Sequence, residues 1–521
     1  MSIDTRASYR KSDYRWLIMG RLGLARHASE GAKSAMVDVR CAKAKHLCLG
    51  YKDDWDVIFR PLQLAESDSS HSETVERRGH PTVEIIQSPS ISSFATLNDA
   101  EIEEKILDTF VEEFCAISSN PKISRGFLDG FESLVNHAGK ATDIGQAATM
   151  VGLAGVANRI GRLSLHKRAE LIYGRLLRSF QTSLTDKERS SSVESLMTAV
   201  LLGIYEVITS SKYHPGYHTA HVRGVSAILS QEDSPFDLDA GIQLFQLGDP
   251  QLLKKSFHVI HASAAVITTG VLCSPLSHDA IQNLDAMLIK FSPIFHYTNT
   301  LFSSSFPAFL CVETLLEEAM SLDEEFKRWP EAQEGGWLPQ TAGTFSEQQT
   351  AIPGLPRLGI GRLDSYFDLF VAAVWNTYRK SHMMILNIIF RCRKHLGKED
   401  AETELRERVK RLAEDIMASL PYHIFRDQNN YLELIEKGSR KLEIGQTAGG
   451  LLMMHPLYVV AGMSALSESF RTYARDSLAW IGRHMGVGQA TILADPFCDL
   501  PFKYIAEGHI LIWAGMLIRK T

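Results

Sequence analysis

From Leu97 onward, apolar residues recur at three- and four-residue steps, the period of a helix with one buried face. The run EIEEKILDTFVEEFCAI shows it most clearly, with Ile102, Ile106, Phe110, Phe114 and Ile117 on one stripe. Asn98-Asp99 ahead of it offers a side-chain oxygen to the orphan amides of the first turn. Residues 147–160 are small and apolar, which predicts a helix that lets its neighbours approach closely. Residues 167–180 alternate basic and apolar positions (Leu171, Tyr173, Leu176, Leu177), as a surface helix does. After Ser192-Val193-Glu194, the segment SLMTAVLLGIYEVITSS is apolar nearly all round and should be a buried helix.

The pattern continues to the C-terminus. Residues 251–289 read as two helices split at Ser274-Pro275, with Ser277 or Asp279 capping the second. Residues 301–320 read as a helix interrupted near Pro307, and residues 329–362, rich in Pro and Gly, as a long loop. Residues 364–396 form the longest predicted helix. Its broad stripe includes Phe370, Val374, Trp375, Tyr378 and Ile385, and Arg391, Arg393 and Lys394 stand at the end where cations suit the helix dipole. Residues 402–420 carry charges at helical spacing, as a solvated outer helix does. Residues 449–485 read as an apolar helix pair, and 502–518 as a closing segment that docks on the body. Strand-period alternation is scarce and no fixed-period repeat is present. The expected fold class is all-α.

Composition sets the boundaries. The chain has 521 residues, 45% hydrophobic and 22% charged, which is ordinary globular usage with length for a large core. Residues 1–62 read as a poorly ordered basic arm. Residues 63–95, with SDSSHSE, RRGHPT and QSPSISS, read as a Ser/Pro-rich linker, and residues 96–521 as the helical body. The net charge is −6, yet the first 52 residues hold 11 Lys/Arg against 4 Asp/Glu. A basic arm on an acidic body suits a polyanion such as nucleic acid, and a solvated tail is the plainer reading. The seven cysteines, Cys41, Cys48, Cys115, Cys273, Cys311, Cys392 and Cys498, are odd in number and scattered. That argues against a disulfide framework and for a reducing compartment, with the last five read as small core residues. No secretory signal fits the charged N-terminus, and the longest apolar run, around 262–273, is well short of the ~18 residues a membrane helix needs. A soluble intracellular protein without a membrane partner is expected.

Catalytic signatures are wanting. The chain has no G-x-S-x-G, P-loop, dinucleotide fingerprint, H-E-x-x-H or C-x-x-C, so no catalytic residue is assigned and an enzyme is not expected. His214, His218 and His221 have a spacing that could gather imidazoles on one helix side, but Pro215-Gly216 interrupts it. The favoured reading has His221 packing or hydrogen-bonding at a helix start. Asp364, Trp375, His382 and Arg391 could line a pocket beside the long helix, although core and flank of an amphipathic helix explain them as well.

One stretch carries sharper chemistry. CAKAKHLCLGYKDDWDVIFR, Cys41 to Arg60, has two cysteines separated by six residues among lysines. Thiolates on a basic loop supply half of a four-ligand zinc site; two surface thiols is the alternative. The stretch resembles the last third of the fungal zinc binuclear cluster, the six-cysteine DNA-binding module of fungal transcription factors. Cys41 and Cys48 match its fifth and sixth cysteines, and Gly50, Tyr51, Asp54, Phe59 and Arg60 match its tail, with Leu49 where the family has Pro. The chain departs from the family upstream: Asp38 stands at the fourth cysteine, and residues 1–40 contain none. Two readings stay open, a lost cluster or a mispredicted exon standing in its place. Leu202-Gly203-Ile204-Tyr205-Glu206 followed by His221-Val222-Arg223-Gly224-Val225 also resembles the family's middle homology region. The resemblance implies a helical regulatory domain that controls metabolic or secondary-metabolite genes in the nucleus, as a homodimer or with a partner regulator. It implies zinc on Cys41 and Cys48, and phosphate contacts to DNA from Arg40, Lys43, Lys45 and Lys52. A helical co-regulator without DNA binding is the second reading, and an enzyme on the same body the third.

Overall fold

A computed structural model describes residues 83–190, 192–211, 217–229, 265–266, 271–273, 278–303, 308–346, 352, 354–356, 361–398, 402–437, 441–497, 508 and 510–520. The body begins within the segment read as linker. There β1 (Glu84–Ile86) is followed by α1 (Pro89–Ser93), which buries Ile91 and is followed by buried Phe94. In α2 (Asp99–Phe114) the expected cap is present as a reciprocal pair. Asn98 Oδ1 accepts from the amides of Ala100 and Glu101, and Glu101 accepts from the amide of Asn98. Ile102, Ile106, Phe110 and Phe114 face the core, but Ile117 lies past the helix end and is 65% exposed.

Next come α3 (Phe131–Ala138), α4 (Asp143–Ile160), α5 (Leu163–Ser183) and the single turn α6 (Lys187–Ser190). Helix α4 is the small-residue helix foreseen, and it packs against α2, α5 and α7 (Val193–Ile208). Gly152 and Gly155 of α4 lie against Ile106, Phe110 and Phe114 of α2. Helix α5 buries Leu165, Ala169, Ile172, Leu176 and Phe180 and turns Leu171 to solvent. Ser192 caps α7 through the amide of Ser195, and α7 is buried on every face except at Glu194. Helix α8 (His218–Leu229) packs along α7.

The chain then departs from expectation. Residues 265–266 and 271–273 are strands β2 (Ala265–Val266) and β3 (Val271–Cys273), not part of a helix. They form an antiparallel sheet whose third member is β7 (Ile518–Lys520), at the other end of the body. The local chemistry agrees: Val266, Ile267, Thr268, Thr269 and Val271 are β-branched, and Gly270 breaks the run.

Helix α9 (Asp279–Ser303) starts at Asp279, and the His278 ring nitrogen takes the amide of Ala280 in place of an Asp or Ser cap. Helix α10 (Phe309–Arg328) follows the expected break. The long Pro/Gly segment contains two short 3-10 turns and an antiparallel ribbon, β4 (Gln340–Thr344) with β5 (Arg362–Ser365). Because Asp364 is in β5, the longest helix, α11 (Leu369–His395), starts later than expected, with Asp368 capping the amide of Val371.

The last elements are α12 (Glu402–Ile424), α13 (Gln428–Lys437), β6 (Lys441–Glu443), α14 (Thr447–Gly462), α15 (Glu468–Met485), α16 (Gly488–Leu493) and a helical turn at 510–514. Strand β6 pairs in parallel with β1, joining the first described residues to the C-terminal helices. Helix α14 lies so close to the end of α12 that a Cβ at Gly449 would come 1.9 Å from the His423 carbonyl oxygen. One continuous apolar core runs from Ile91 to Ile518, and the sheets are short additions to an all-α body. Cys115 and Cys392 are buried in that core as expected, while Cys311 is partly exposed and Cys273 belongs to β3.

Candidate functional site

Cys41, Cys48, Arg40, Lys43, Lys45 and Lys52 all lie outside the described residues, as do His214 and Cys498. The other candidate motif, the middle region, is fully placed. Tyr205 and Glu206 sit at the end of α7, both buried. The Tyr173 hydroxyl of α5 donates to Glu206 Oε1 and lies 3.1 Å from His221 Nε2 of α8. The Tyr173 and Tyr205 rings stack with centroids 4.8 Å apart. Three helices are thus pinned through one tyrosine. His221 has the hydrogen-bonding role expected of it, although Tyr173, on a separate helix, had no signal tying it to the motif.

Gly203 has a packing reason. A Cβ there would fall 2.2 Å from Leu511 Cδ2, a fully buried side chain of the C-terminal turn. Arg223 is exposed, and the space beside Gly224 is open.

The four residues that could have lined a pocket do not converge. Asp364 takes a two-pronged hydrogen bond from Arg362, which also reaches Asp415. The Trp375 indole donates to the Trp337 carbonyl at 2.6 Å. The Arg391 guanidinium lies over the Phe302 ring, 4.5 Å from its centroid. His382 Nε2 is 2.7 Å from Asp323 Oδ1 of α10, which also receives Arg408 of α12. Burial opposes the charge on Asp323, but the hydrogen bonds from His382 and Arg408 outweigh it and hold this carboxyl below its usual range. Burial keeps the His382 imidazole below its ordinary value despite Asp323. The trio clamps α10, α11 and α12.

A second polar seam joins the two ends of the body. Arg159 of α4 is ion-paired with Glu113 of α2, with side chains 1% and 4% exposed. Arg159 Nε also donates to Gln87 Oε1 at 2.7 Å. Glu113 in turn accepts from the hydroxyl of Ser88 and from the amide and hydroxyl of Thr447, at the start of α14. The partners are 46 and 334 positions apart, beyond any local pattern.

Among the described residues, no group of three or more His, Cys, Asp and Glu could hold a metal ion. No helix among them is long and apolar enough to cross a membrane. The described geometry is therefore that of a helical scaffold clamped by buried polar contacts, with its middle-region motif used to lock three helices together.

No protein-family profile matches the chain. No solved structure matches it. Among curated proteins, it is similar to transcription factor dbaG of Emericella nidulans, 31% identical over 422 residues, covering 81% of this chain and 97% of dbaG. That likeness runs almost the full length of the relative. The chain belongs to the dbaG family of fungal transcription factors.

Proposed function

We propose that this transcription regulator acts in the nucleus on metabolic or secondary-metabolite biosynthetic genes, and that it is not an enzyme. The observation that supports the reading is the identity with dbaG across 97% of that protein's length. In this reading the arm, residues 1–62, supplies the contact with DNA and the helical body dimerises or recruits a partner regulator. Arg40, Lys43, Lys45 and Lys52 meet phosphates rather than base edges, so they position the protein without reading sequence. Cys41 and Cys48 are the zinc ligands of the arm. Two thiolates fill half of one tetrahedral site, so bound zinc requires two further ligands from outside this pair.

The test compares the full chain with a version lacking residues 1–62. DNA affinity is measured against salt on a target promoter fragment and on a random duplex, with zinc content by mass spectrometry. The full chain should bind DNA with an affinity that falls linearly with salt on logarithmic axes, and the shortened chain should lose most of it. Target transcripts should fall when the shortened chain replaces the full one.

The absence of cysteine from residues 1–40 favours a second reading, a co-regulator that reaches promoters through a partner. Nuclear retention and unchanged transcript levels after the same deletion would select it.

A further inference from the structure

Helix α5 has two contrasting faces. The inner one buries Leu165, Ala169, Ile172, Leu176 and Phe180. On the opposite side Lys167, Leu171, Gly174, Arg175 and Arg178 recur at three- and four-residue steps, which makes one stripe about 16 Å long. Its three cations are exposed and enter no ion pair among the described residues; the Arg175 guanidinium donates to the Leu171 carbonyl at 3.4 Å. Arg168, just off the stripe, is by contrast taken by Glu103 of α2. Glu170, the one acid of α5, stands at the stripe's edge. On the other flank Asp143 of α4 is occupied by the hydroxyls of Ser179 and Ser183.

Two residues at the centre of the stripe have no use within the described body. Leu171 is 63% exposed between Lys167 and Arg175. Gly174 stands mid-helix, where glycine costs helix stability, and a Cβ there would meet nothing within 4 Å. Gly152, Gly155 and Gly203 differ, because each lies against a packed side chain. A bare position one turn from an exposed leucine lets a second backbone come close to α5.

The charge of the stripe restricts what that backbone carries. Duplex DNA would satisfy the three cations, but it would leave Leu171 against phosphates. An acidic amphipathic helix satisfies both features: its carboxylates meet Lys167, Arg175 and Arg178, and its apolar stripe packs on Leu171 across Gly174. We propose that the outer face of α5 is the docking surface for an acidic amphipathic helix of a partner regulator. That the partner is a regulator rests on the function proposed above. The docking itself is measured without DNA or transcription, so its failure and the failure of that reading are told apart.

The test follows the fluorescence anisotropy of a labelled helical peptide of about 18 residues, long enough to span the stripe. The peptide carries Asp and Glu around a Leu/Phe stripe and is titrated with the full chain. Two control peptides replace its acids by Lys or its apolar stripe by Ser. The acidic amphipathic peptide should bind and neither control should. Arg175→Glu with Arg178→Glu should weaken it about tenfold or more. Leu171→Ser and Gly174→Phe should each weaken it about fivefold, with folding checked by circular dichroism and melting. Lys43→Glu with Lys45→Glu, the same charge reversal placed in the basic arm, should leave the peptide's affinity unchanged. No binding overturns the proposal, and so does binding that survives the α5 variants or falls equally with the arm reversal. If Arg175→Glu with Arg178→Glu weakens duplex DNA and spares the peptide, the face is a DNA contact and the proposal is overturned as well.

Discussion

Arg159 and Lys380 are both cations enclosed by helices, and they are treated in opposite ways. Arg159 meets Glu113, Gln87 and Thr447, so four segments of chain close around one ion pair. Lys380 meets no anion among the described residues. The first is a fastener. Its removal would strand a buried charge, and its presence ties β1 and α1 to the start of α14. The second has no counter-charge among the described residues, and burial makes its charged form costly. Burial of a cation alone therefore does not make it a fastener; the counter-charge does.

The comparison can be broken by mutation. Glu113→Gln leaves Arg159 buried without a counter-charge and should lower stability by roughly 3–5 kcal/mol in urea unfolding. A loss well below 1 kcal/mol would show that the seam is not a fastener. Lys380→Met should raise stability by about 1–3 kcal/mol at neutral pH, because it removes a desolvated amine and keeps the volume. The sign of its pH dependence follows from the depressed amine. Between the folded-state value and the ordinary 10.5, the unfolded chain binds a proton that the folded chain excludes. The unmutated protein should therefore gain on the variant as the pH rises from neutral toward 10.5, with His455 the imidazole whose own value the amine lowers. A stability gap that stays flat over that range, or a variant less stable than the parent, would place Lys380 among the fasteners.

Smaller effects sharpen the contrast. Gly203→Ala pushes a methyl into Leu511 and should cost about 1–3 kcal/mol, with the C-terminal turn losing hydrogen-exchange protection first. Tyr173→Phe removes the hydroxyl between Glu206 and His221 and should cost about 1 kcal/mol, since the ring stack on Tyr205 survives. A loss as large as that of Glu113→Gln would mean that Glu206 depends on this one donor.

The helices were legible because their signals are local. Asn98, Ser192 and the apolar stripes of α2 and α7 act within a few residues, through capped amides and a buried face of helical period. The same reach explains the failures. The sheet of β2, β3 and β7 joins residues near 270 to the last residues of the chain, and only that pairing turns an apolar stretch into strands. The basic arm and the cysteine pair were visible as composition and spacing, and they lie outside the described residues. Sequence alone thus determined the all-α body, its caps and most of its buried faces, each set by neighbours along the helix. Tertiary structure alone decided that Arg159 has a partner, that Lys380 among the described residues has none, and that Gly203 faces Leu511. Those facts depend on side chains brought together from distant helices, and no periodicity along one chain records which of them will face each other.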